Sequence, residues 1–368
     1  MVFLDKNSKL IVSIFLAVFL LAGCGGADER KAKYLERGKS YYDEQNYKKA
    51  AVEFKNVIQI DPKMAEPYYY LGRIAENGQQ WRAAYSNYLK TIELDPEHIK
   101  ARIHLAQFHL LGSNLEQAAE QIDEVLAREQ DNKEALTLHA SILLREGKTE
   151  EAISMLREVL EKSPGHAAAA SILSAWYEKN DQPDESIKVL KNVIAENPDS
   201  VVFRLKLAQA YIAKKENAAA EKLLVEIVES NPEEFQYRVT LASYYSQTDR
   251  LDEAEKVLRT AIADAPDDVE RYTILTDFLK NKVNIDAAIA ELEANIKKKP
   301  ELVRLQFLLA DIFTRNGDGE KAENVLRGIV SSRGLDPDGL SARTALATLM
   351  MRQGRREEAT VLLNEVLK

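Results

Sequence analysis

The chain has 368 residues, 59 of them acidic and 50 basic, for a formal net charge of −9. An acidic chain without clustered lysine and arginine is poorly suited to nucleic-acid phosphates, so we expect no nucleic-acid partner. Its single cysteine, Cys24, excludes a disulfide within the chain, and the scarcity of glycine (15) and proline (10) favours helix throughout.

The first residues have the pattern of an export signal. Lys6 and Lys9 precede an apolar run from Leu10 to Leu21 that only Ser13 interrupts, and small residues follow it. Such a run is too short to span a bilayer comfortably but suits a signal peptide. Residues 1–23 are therefore expected to be a cleaved signal, either secretory with an incidental cysteine or one that leads to lipid attachment.

The sequence Leu21, Ala22, Gly23, Cys24 resembles the lipobox of bacterial lipoproteins. The resemblance implies cleavage before Cys24, lipidation of that cysteine, and residues 24–30 as a short linker. Two or three acyl chains anchor a protein durably, whereas one anchors it only marginally. In Gram-negative lipoproteins an aspartate after the cysteine usually retains the protein in the inner membrane. The residue here is Gly25, so the resemblance implies the periplasmic face of the outer membrane.

Other roles for Cys24 have less support in the sequence. A catalytic nucleophile needs a base, and no histidine lies near this cysteine along the chain. A core role is not favoured either, because nothing after residue 24 contains a thiol.

The linker of residues 25–30 would reach about 20 Å if extended, which would keep the following domain close to the membrane.

Prolines reveal an internal period of 34 residues. Seven of the ten prolines are spaced by this period or by twice it, and Gln130 fills the one empty slot. Internal periods of this length indicate helical solenoids. The prolines in phase are Pro62, Pro96, Pro164, Pro198, Pro232, Pro266 and Pro300.

Residues 31–64 resemble the tetratricopeptide repeat, in which aromatic, small and proline residues recur at fixed positions. The matching residues are Tyr34, Gly38, Tyr41, Ala50, Phe54 and Pro62. Ten units start near residues 31, 65, 99, 133, 167, 201, 235, 269, 303 and 340. The resemblance therefore implies an all-α fold: a right-handed α-solenoid over residues 31–368, built from helix-turn-helix repeats. Positions 8 and 20 of every unit hold small residues, which predicts that helices A and B cross closely there.

Two features of the last units stand out. The junction before residue 340 carries three extra residues, which predicts a kink. The tenth unit has no polar capping helix after it, although terminal repeats normally need one. A longer native chain, a docked end or a frayed end would each account for this.

Motifs for chemistry are missing from the sequence. It contains no phosphate-binding loop, nucleophile elbow, zinc-protease motif or paired-cysteine motif, so we predict no enzymatic activity, no cofactor and no metal site. His109 and His139 could meet on neighbouring A helices and form a weak metal site, but packing imidazoles explain them better. Lys297, Lys298 and Lys299 could complement a helix dipole or contact a lipid headgroup.

The concave face remains as the surface for function. In the tetratricopeptide family, positions 2, 5, 9, 12 and 13 of helix A line the partner groove. Nine of the fifteen tyrosines precede residue 89, which either a partner site or plain surface enrichment would explain. Aromatic and arginine side chains suit interface hot spots. The candidate partner-binding residues are Lys39, Tyr42, Tyr69, Arg73, Asn77, Lys100 and Gln107.

Farther along, the groove changes character. Its lining is small or neutral in units 4 to 7 and includes Asp277, Lys280, Asp311 and Arg315 in units 8 and 9.

Lipid-anchored proteins that resemble this chain serve exopolysaccharide synthesis and export, including PEP-CTERM/exosortase systems, while others assemble outer-membrane proteins or type IV pili. We expect a periplasmic, membrane-anchored scaffold for protein partners. Its ten repeats favour the exopolysaccharide group over the other two. Direct polysaccharide binding along the groove is the alternative.

Overall fold

A computed structural model of the chain describes residues 26–367, and all regular structure in this part of the chain is helical. The all-α prediction is confirmed. The chain divides into two compact units, unit 1 (residues 1–199) and unit 2 (residues 200–368). The helices of unit 1 are α1 (residues 26–43), α2 (Tyr47–Ile60), α3 (Glu66–Asn77), α4 (Trp81–Leu94), α5 (Ile99–Leu111), α6 (Leu115–Leu126), α7 (Lys133–Arg145), α8 (Thr149–Lys162), α9 (Ala167–Lys179) and α10 (Pro183–Glu196).

Unit 2 repeats the same arrangement with one interruption, a π-helix. Odd-numbered helices are the A helices of the repeats and even-numbered ones are the B helices. Its elements are α11 (Val201–Ala213), α12 (Asn217–Ser230), α13 (Phe235–Gln247), α14 (Leu251–Asp264), α15 (Val269–Phe278), the π-helix (Leu279–Val283), α16 (Ile285–Lys298), α17 (Val303–Arg315), α18 (Gly319–Arg333), α19 (Pro337–Arg352) and α20 (Arg356–Val366). None of the helices between residues 26 and 367 combines the length and hydropathy that crossing a membrane requires.

The small residues at positions 8 and 20 of each repeat are all buried, which confirms the close helix crossing. Two of them must be glycine. A Cβ on Gly38 would lie 2.7 Å from the Phe54 ring, and one on Gly72 would lie 2.6 Å from the Tyr88 ring. Because the partner at the crossing is aromatic in these two repeats, even a methyl group has no room.

The turn between helices A and B uses the same backbone conformation in nine repeats. One residue there has a positive φ, between 55° and 86°. These residues are Gln45, Gln79, Ser113, Gly147, Asp181, Lys215, Asp249, Gly317 and Gly354. In the remaining repeat the equivalent residue is Val283, and a branched Cβ is strongly strained at positive φ. The chain forms the π-helix there instead, so one side chain explains the exception.

Residues 26–30, which were predicted to belong to the linker, are helical as part of α1 and are not an extended connection. Asp28 pairs with Lys31 at 3.1 Å within this first described part of α1. Five helical residues advance about 8 Å, roughly half their extended reach.

The three extra residues before the tenth repeat lengthen the helices around them. Helix α18 continues to Arg333 and stops at Gly334, whose φ is +57°. Helix α19 then begins at Pro337, three residues before the predicted start of the repeat, with Asp336 accepting a hydrogen bond from the Gly339 amide at 2.7 Å. The aspartate cap and the proline favour this earlier start.

Candidate functional site

The seven predicted groove residues lie on three consecutive A helices of unit 1. Four of them line one pocket of 480 Å³, to which α3, α5 and α7 contribute. The lining residues among the seven are Tyr69, Arg73, Lys100 and Gln107, and the other three, Lys39, Tyr42 and Asn77, are not part of its lining. The predicted set therefore separates into a pocket and its flank.

Arg73 is the most unusual residue of this pocket. Its guanidinium is half-buried, donates a hydrogen bond to the Tyr69 hydroxyl at 3.1 Å, and lies over the Tyr42 ring at 5.9 Å from the ring centre. Within the described part of the chain no carboxylate pairs with it at an N–O distance of 4.0 Å or less. Glu76, one turn farther along α3, contacts Tyr88 and His104 instead. Arg73 is thus a half-buried cation without a direct ion pair among the described residues.

Tyr69 belongs to the core more than to the surface. Only 6% of it is exposed, and its ring packs against His98, with ring centres 4.8 Å apart. Tyr69 occupies a groove position of the repeat but is also a packing residue of the core. Its hydroxyl nevertheless reaches the pocket, where it positions Arg73.

Tyr42 and Asn77 form the flank next to Arg73. The Asn77 side chain hydrogen-bonds the Tyr42 hydroxyl, and burial raises the pKa of Tyr42 while the nearby Arg73 charge opposes that rise. The Tyr42 ring also meets Tyr70 edge-on at 5.2 Å. Tyr70 in turn stacks on Phe54 at 4.8 Å, so this tyrosine is part of the packing between repeats 1 and 2.

Lys39 is not a free cation. Its ammonium pairs with Glu66 at 2.5 Å and lies 5.9 Å from the centre of the Tyr70 ring. Lys100, in contrast, is exposed at the pocket and has no ion pair within the described residues. Of the two predicted lysines, only Lys100 adds available positive charge to Arg73.

A polar cluster that the sequence did not reveal reaches the pocket through His104, which is part of its lining. The buried Tyr88 hydroxyl donates to a Glu76 carboxylate oxygen at 2.5 Å, and His104 stacks flat on the Tyr88 ring at 4.7 Å. The His104 Nδ1 lies 3.2 Å from the same Glu76 oxygen. Burial lowers the pKa of His104, while burial and the Glu76 contact raise that of Tyr88. Both side chains are therefore neutral near pH 7, and the Glu76 charge is engaged.

The far wall of the pocket comes from the turn before α7 and from α7 itself. Glu129, Asn132 and Glu134 lie there, and Asn132 donates to Glu129 at 2.6 Å. The family's groove positions all belong to helix A, so Glu129 and Asn132 gave no signal in the sequence, whereas Glu134 occupies position 2 of the fourth unit. Ile99 and Ile103 add apolar surface from α5. The pocket offers cations from α3 and α5, two carboxylates on the opposite wall and an aliphatic patch, which suits recognition of a polar partner.

Unit 2 has pockets of a different kind. One of 440 Å³ next to the π-helix is lined by charges that neutralise each other, because Asp277 pairs with Lys280 at 2.6 Å and Asp311 with Arg315 at 2.8 Å. Another of 500 Å³, between α11 and α13, has no charged residue in its lining. The groove lining therefore changes along the chain as predicted. It is uncharged between α11 and α13 and contains charged residues next to the π-helix.

Cys24 lies outside the described residues. Within residues 26–367 no group of three or more histidine, cysteine, aspartate or glutamate side chains is placed to hold a metal ion. His109 is buried and its ring packs edge-on against Tyr85 at 5.7 Å, as expected for a packing imidazole.

Sequence profiles described as "Tetratricopeptide repeat" or "TPR repeat" match most of the chain. The matched segments are residues 38–76, 78–142, 143–191, 178–243, 235–268, 283–339 and 340–365. The boundary between the last two falls at the predicted start of the tenth unit. A comparison with curated protein sequences gives no match.

Several solved structures are similar to this chain at low sequence identity. PilW, titled a widely conserved type IV pilus biogenesis factor, is 14% identical, covers 57% of this chain and 98% of its own, and has a TM-score of 0.51. PilF of Pseudomonas aeruginosa is 15% identical over 59% of this chain and 99% of its own, with a TM-score of 0.48. A tetratricopeptide repeat protein of Parabacteroides merdae is 15% identical over 68% and 99%, with a TM-score of 0.47. At 14% identity, the likeness to PilW shows the fold alone.

Proposed function

Because the chain belongs to the tetratricopeptide repeat family, we propose that it is a scaffold that binds a protein partner in the groove of unit 1. The observation that supports this most is the half-buried Arg73 guanidinium, which lines a pocket and pairs with no carboxylate among the described residues. Removing a charge from water is costly unless a partner compensates it. A partner's acidic group would provide that compensation.

The surroundings of Arg73 fit this role. The Tyr69 hydroxyl and the Tyr42 ring hold the guanidinium in place, so little side-chain freedom is lost on binding. Ile99 and Ile103 provide apolar contact beside it, and Lys100 adds a second positive charge. Arginine and tyrosine in a partly desolvated pocket are the residues that dominate interface energies.

The same geometry does not favour catalysis. The Glu76 carboxylate accepts from Tyr88, and the neutral His104 is stacked on that tyrosine, so neither is directed at a ligand as a base. The profiles that match the chain all describe repeats. We therefore propose a non-enzymatic scaffold that needs no cofactor.

The test is a quantitative pull-down from solubilised cell envelopes with the wild type, Arg73→Gln and Arg82→Gln. Arg82 is a matched control, since it is an exposed arginine on α4 of the same unit. We expect a defined set of partners that Arg73→Gln loses and Arg82→Gln keeps. Recovery of no specific partner, or equal loss in both variants, would rule the proposal out.

We also propose that the protein is lipid-anchored at Cys24 and faces the periplasm from the outer membrane. The support is the sequence Leu21, Ala22, Gly23, Cys24 followed by Gly25. Replacing Cys24 with Ser should move the protein from the membrane fraction to the soluble fraction without changing its helical circular dichroism. A variant that stays with the outer membrane would refute the anchor.

For the envelope pathway, we propose exopolysaccharide synthesis and export or PEP-CTERM-type sorting. Assembly of outer-membrane proteins or type IV pili is the alternative. The likeness to PilW concerns the repeat scaffold and does not favour either. Deletion of the gene should abolish exopolysaccharide secretion and leave twitching motility intact, and the opposite phenotypes would favour pilus assembly.

A further inference from the structure

The outer faces of α2 and α4 are positively charged on an otherwise acidic protein. These two B helices of unit 1 contain five cations and two carboxylates. Each B helix from α6 to α16 contains more carboxylates than cations, and the chain as a whole has a net charge of −9. Both carboxylates of α2 and α4 are already paired, Glu53 with Arg37 at 2.7 Å and Glu93 with Lys90 at 2.6 Å.

Three lysines of α2 have no ion pair within the described part of the chain. Lys48, Lys49 and Lys55 are exposed, and no carboxylate between residues 26 and 367 lies within 4.0 Å of their ammonium groups. Lys49 instead lies 5.3 Å from the centre of the Tyr41 ring. Lys48 and Lys55 are two helical turns apart, so they project from one face of α2. This face offers positive charge to an anionic surface.

Large apolar side chains are exposed beside these cations. Val52 lies on the same face of α2 as Lys48 and is 57% exposed, while Trp81 and Leu89 on α4 are 53% and 40% exposed. The B helices from α6 to α18 expose no large apolar side chain. The Trp81 ring rests edge-on against Phe108, with ring centres 6.4 Å apart, so one side of it is packed while the rest faces water.

We propose that this surface rests on an anionic phospholipid bilayer, and we call it the basic face: Lys48, Val52, Lys55, Trp81 and Leu89. Lysine ammonium groups pair with phosphate headgroups, while tryptophan favours the interface and aliphatic side chains enter the acyl boundary. A helical surface that combines the three is suited to lying in the plane of a membrane. A soluble polyanion would pair with the lysines but would leave the apolar side chains in water.

The place of the basic face in the chain fits a membrane partner. Cys24, the proposed lipid site, precedes the described part of α1 by two residues. Helix α2 packs on α1, where the Phe54 ring lies against Gly38. A lipid at Cys24 holds the basic face near the bilayer and raises the lipid concentration around it, so a weak contact is sufficient. This step alone rests on the proposed anchor.

The contact orients unit 1. The basic face lies on B helices, whereas the pocket that contains Arg73 is lined mainly by the A helices α3, α5 and α7. With the B helices on the bilayer, the pocket remains open to a partner. A face this small binds weakly by itself, so the Cys24→Ser variant still dissociates from membranes on dilution.

The experiment uses the full-length Cys24→Ser protein, which carries no acyl chain, and measures its flotation with vesicles. The vesicles contain phosphatidylcholine alone or with about 30% phosphatidylglycerol, and soluble poly-glutamate serves as a polyanion without a bilayer. The test variant for charge is Lys48→Gln/Lys55→Gln. Its matched control, Lys222→Gln/Lys256→Gln, removes two exposed lysines from α12 and α14.

A second pair of variants tests the apolar side chains. Val52→Ser is compared with Val202→Ser on α11, whose native valine is 63% exposed. Insertion is measured in a Trp176→Phe background, where Trp81 is the only tryptophan, so that brominated lipids quench its fluorescence on contact.

We expect binding to the anionic vesicles at millimolar lipid or below, quenching of Trp81, and release at about 0.5 M salt. Lys48→Gln/Lys55→Gln should weaken binding about tenfold or more, since each cation near an anionic surface contributes about fivefold. Val52→Ser should weaken it about threefold, because it removes an inserted aliphatic side chain, and both controls should stay within about twofold of the parent protein.

Four results would each overturn the inference. They are absence of binding at about 10 mM lipid, an unquenched Trp81, equal loss in a test variant and its control, and binding to poly-glutamate as tight as to the vesicles. Fractionation of Cys24→Ser and the Arg73→Gln pull-down are separate measurements, so this inference and the proposed function can fail independently.

Discussion

The two units have the same helical repeats but differ in whether the cations of their grooves are paired with carboxylates. In unit 1 the groove leaves the Arg73 guanidinium without a carboxylate. In unit 2 Asp277 and Asp311 neutralise the cations of the groove. Because the small residues at positions 8 and 20 are buried at the helix crossing in every repeat, the groove side chains can differ between repeats without changing that crossing.

Unit 2 also has a repeated ion-pair arrangement on its B helices. Arg250 bridges Glu221 on α12 and Glu253 on α14, and Arg355 bridges Glu323 on α18 and Glu358 on α20. Partly exposed pairs of this kind contribute little to stability, because solvent screens them. These pairs neutralise charges between repeats of unit 2. Arg73 in unit 1 has no such ion pair.

The largest expected effect on stability concerns the aromatic crossing of unit 1. Gly72→Ala should lower the free energy of unfolding of unit 1 by about 2 kcal/mol, because the new methyl group would collide with the Tyr88 ring. Urea unfolding monitored by tryptophan fluorescence measures this, since Trp81 and Trp176, the two tryptophans, both lie in unit 1.

The matched control for that collision is Tyr88→Leu, which gives repeat 2 the leucine that Leu258 provides at the same position of unit 2. In the Tyr88→Leu background, Gly72→Ala should be nearly neutral. A double-mutant cycle that shows simple additivity would contradict the idea that the aromatic ring requires the glycine.

A smaller effect is expected at the turns between helices A and B. Gly147→Val in unit 1 should cost about 1 kcal/mol or more, since φ is +82° there. Val283→Gly in unit 2 should cost less, because the π-helix can then revert to the turn found in the other repeats. Circular dichroism during urea unfolding compares both variants. Equal destabilisation by the two would show that Val283 is not the cause of the π-helix.

The smallest expected effect is a difference between the two units in how their stability depends on pH. All five histidines lie in unit 1, and burial lowers the pKa of His98, His104, His109 and His166 from 6.5. The folded state therefore resists protonation, while the unfolded chain takes up protons as the pH falls below about 6.5. The stability of unit 1 should be full above that pH and decline below it.

Unit 2 should respond only at lower pH. Hydrogen bonds from Arg250 and Arg355 lower the pKa of Glu221 and Glu323 from 4.5, so that stabilisation is present above about pH 4.5 and lost below it. Between pH 7.5 and 5.5, the fluorescence midpoint of unit 1 should fall, and His104→Gln should reduce the slope. A midpoint independent of pH in this range would contradict the burial of the imidazoles.

Much of the fold could be predicted because it depends on local patterns. Small residues such as Gly72 and Ala84, prolines at the period of 34, and the ten units all indicated the helix pairs that the structure contains. The π-helix was not predicted, since its cause is the branched side chain of Val283 at one turn position. Nor was the helical conformation of residues 26–30, where Asp28 pairs with Lys31.

The site was predictable in position but not in its electrostatics. Tyr69, Arg73, Lys100 and Gln107 were expected in one groove, and one pocket contains them. That Lys39 is paired with Glu66 while Arg73 has no such partner depends on which side chains meet across repeats. A pattern of positions along one helix does not contain that information.

The central claim is that the unpaired guanidinium of unit 1, and not the paired one of unit 2, binds the partner. The most direct measurement compares the affinity of one recovered partner for Arg73→Gln and for Arg315→Gln, whose native arginine pairs with Asp311. Losing a charged hydrogen bond worth about 1.5–3 kcal/mol should weaken the Arg73→Gln complex about tenfold or more, and Arg315→Gln should stay within about twofold of the wild type. An Arg73→Gln variant that binds like the wild type would contradict the account.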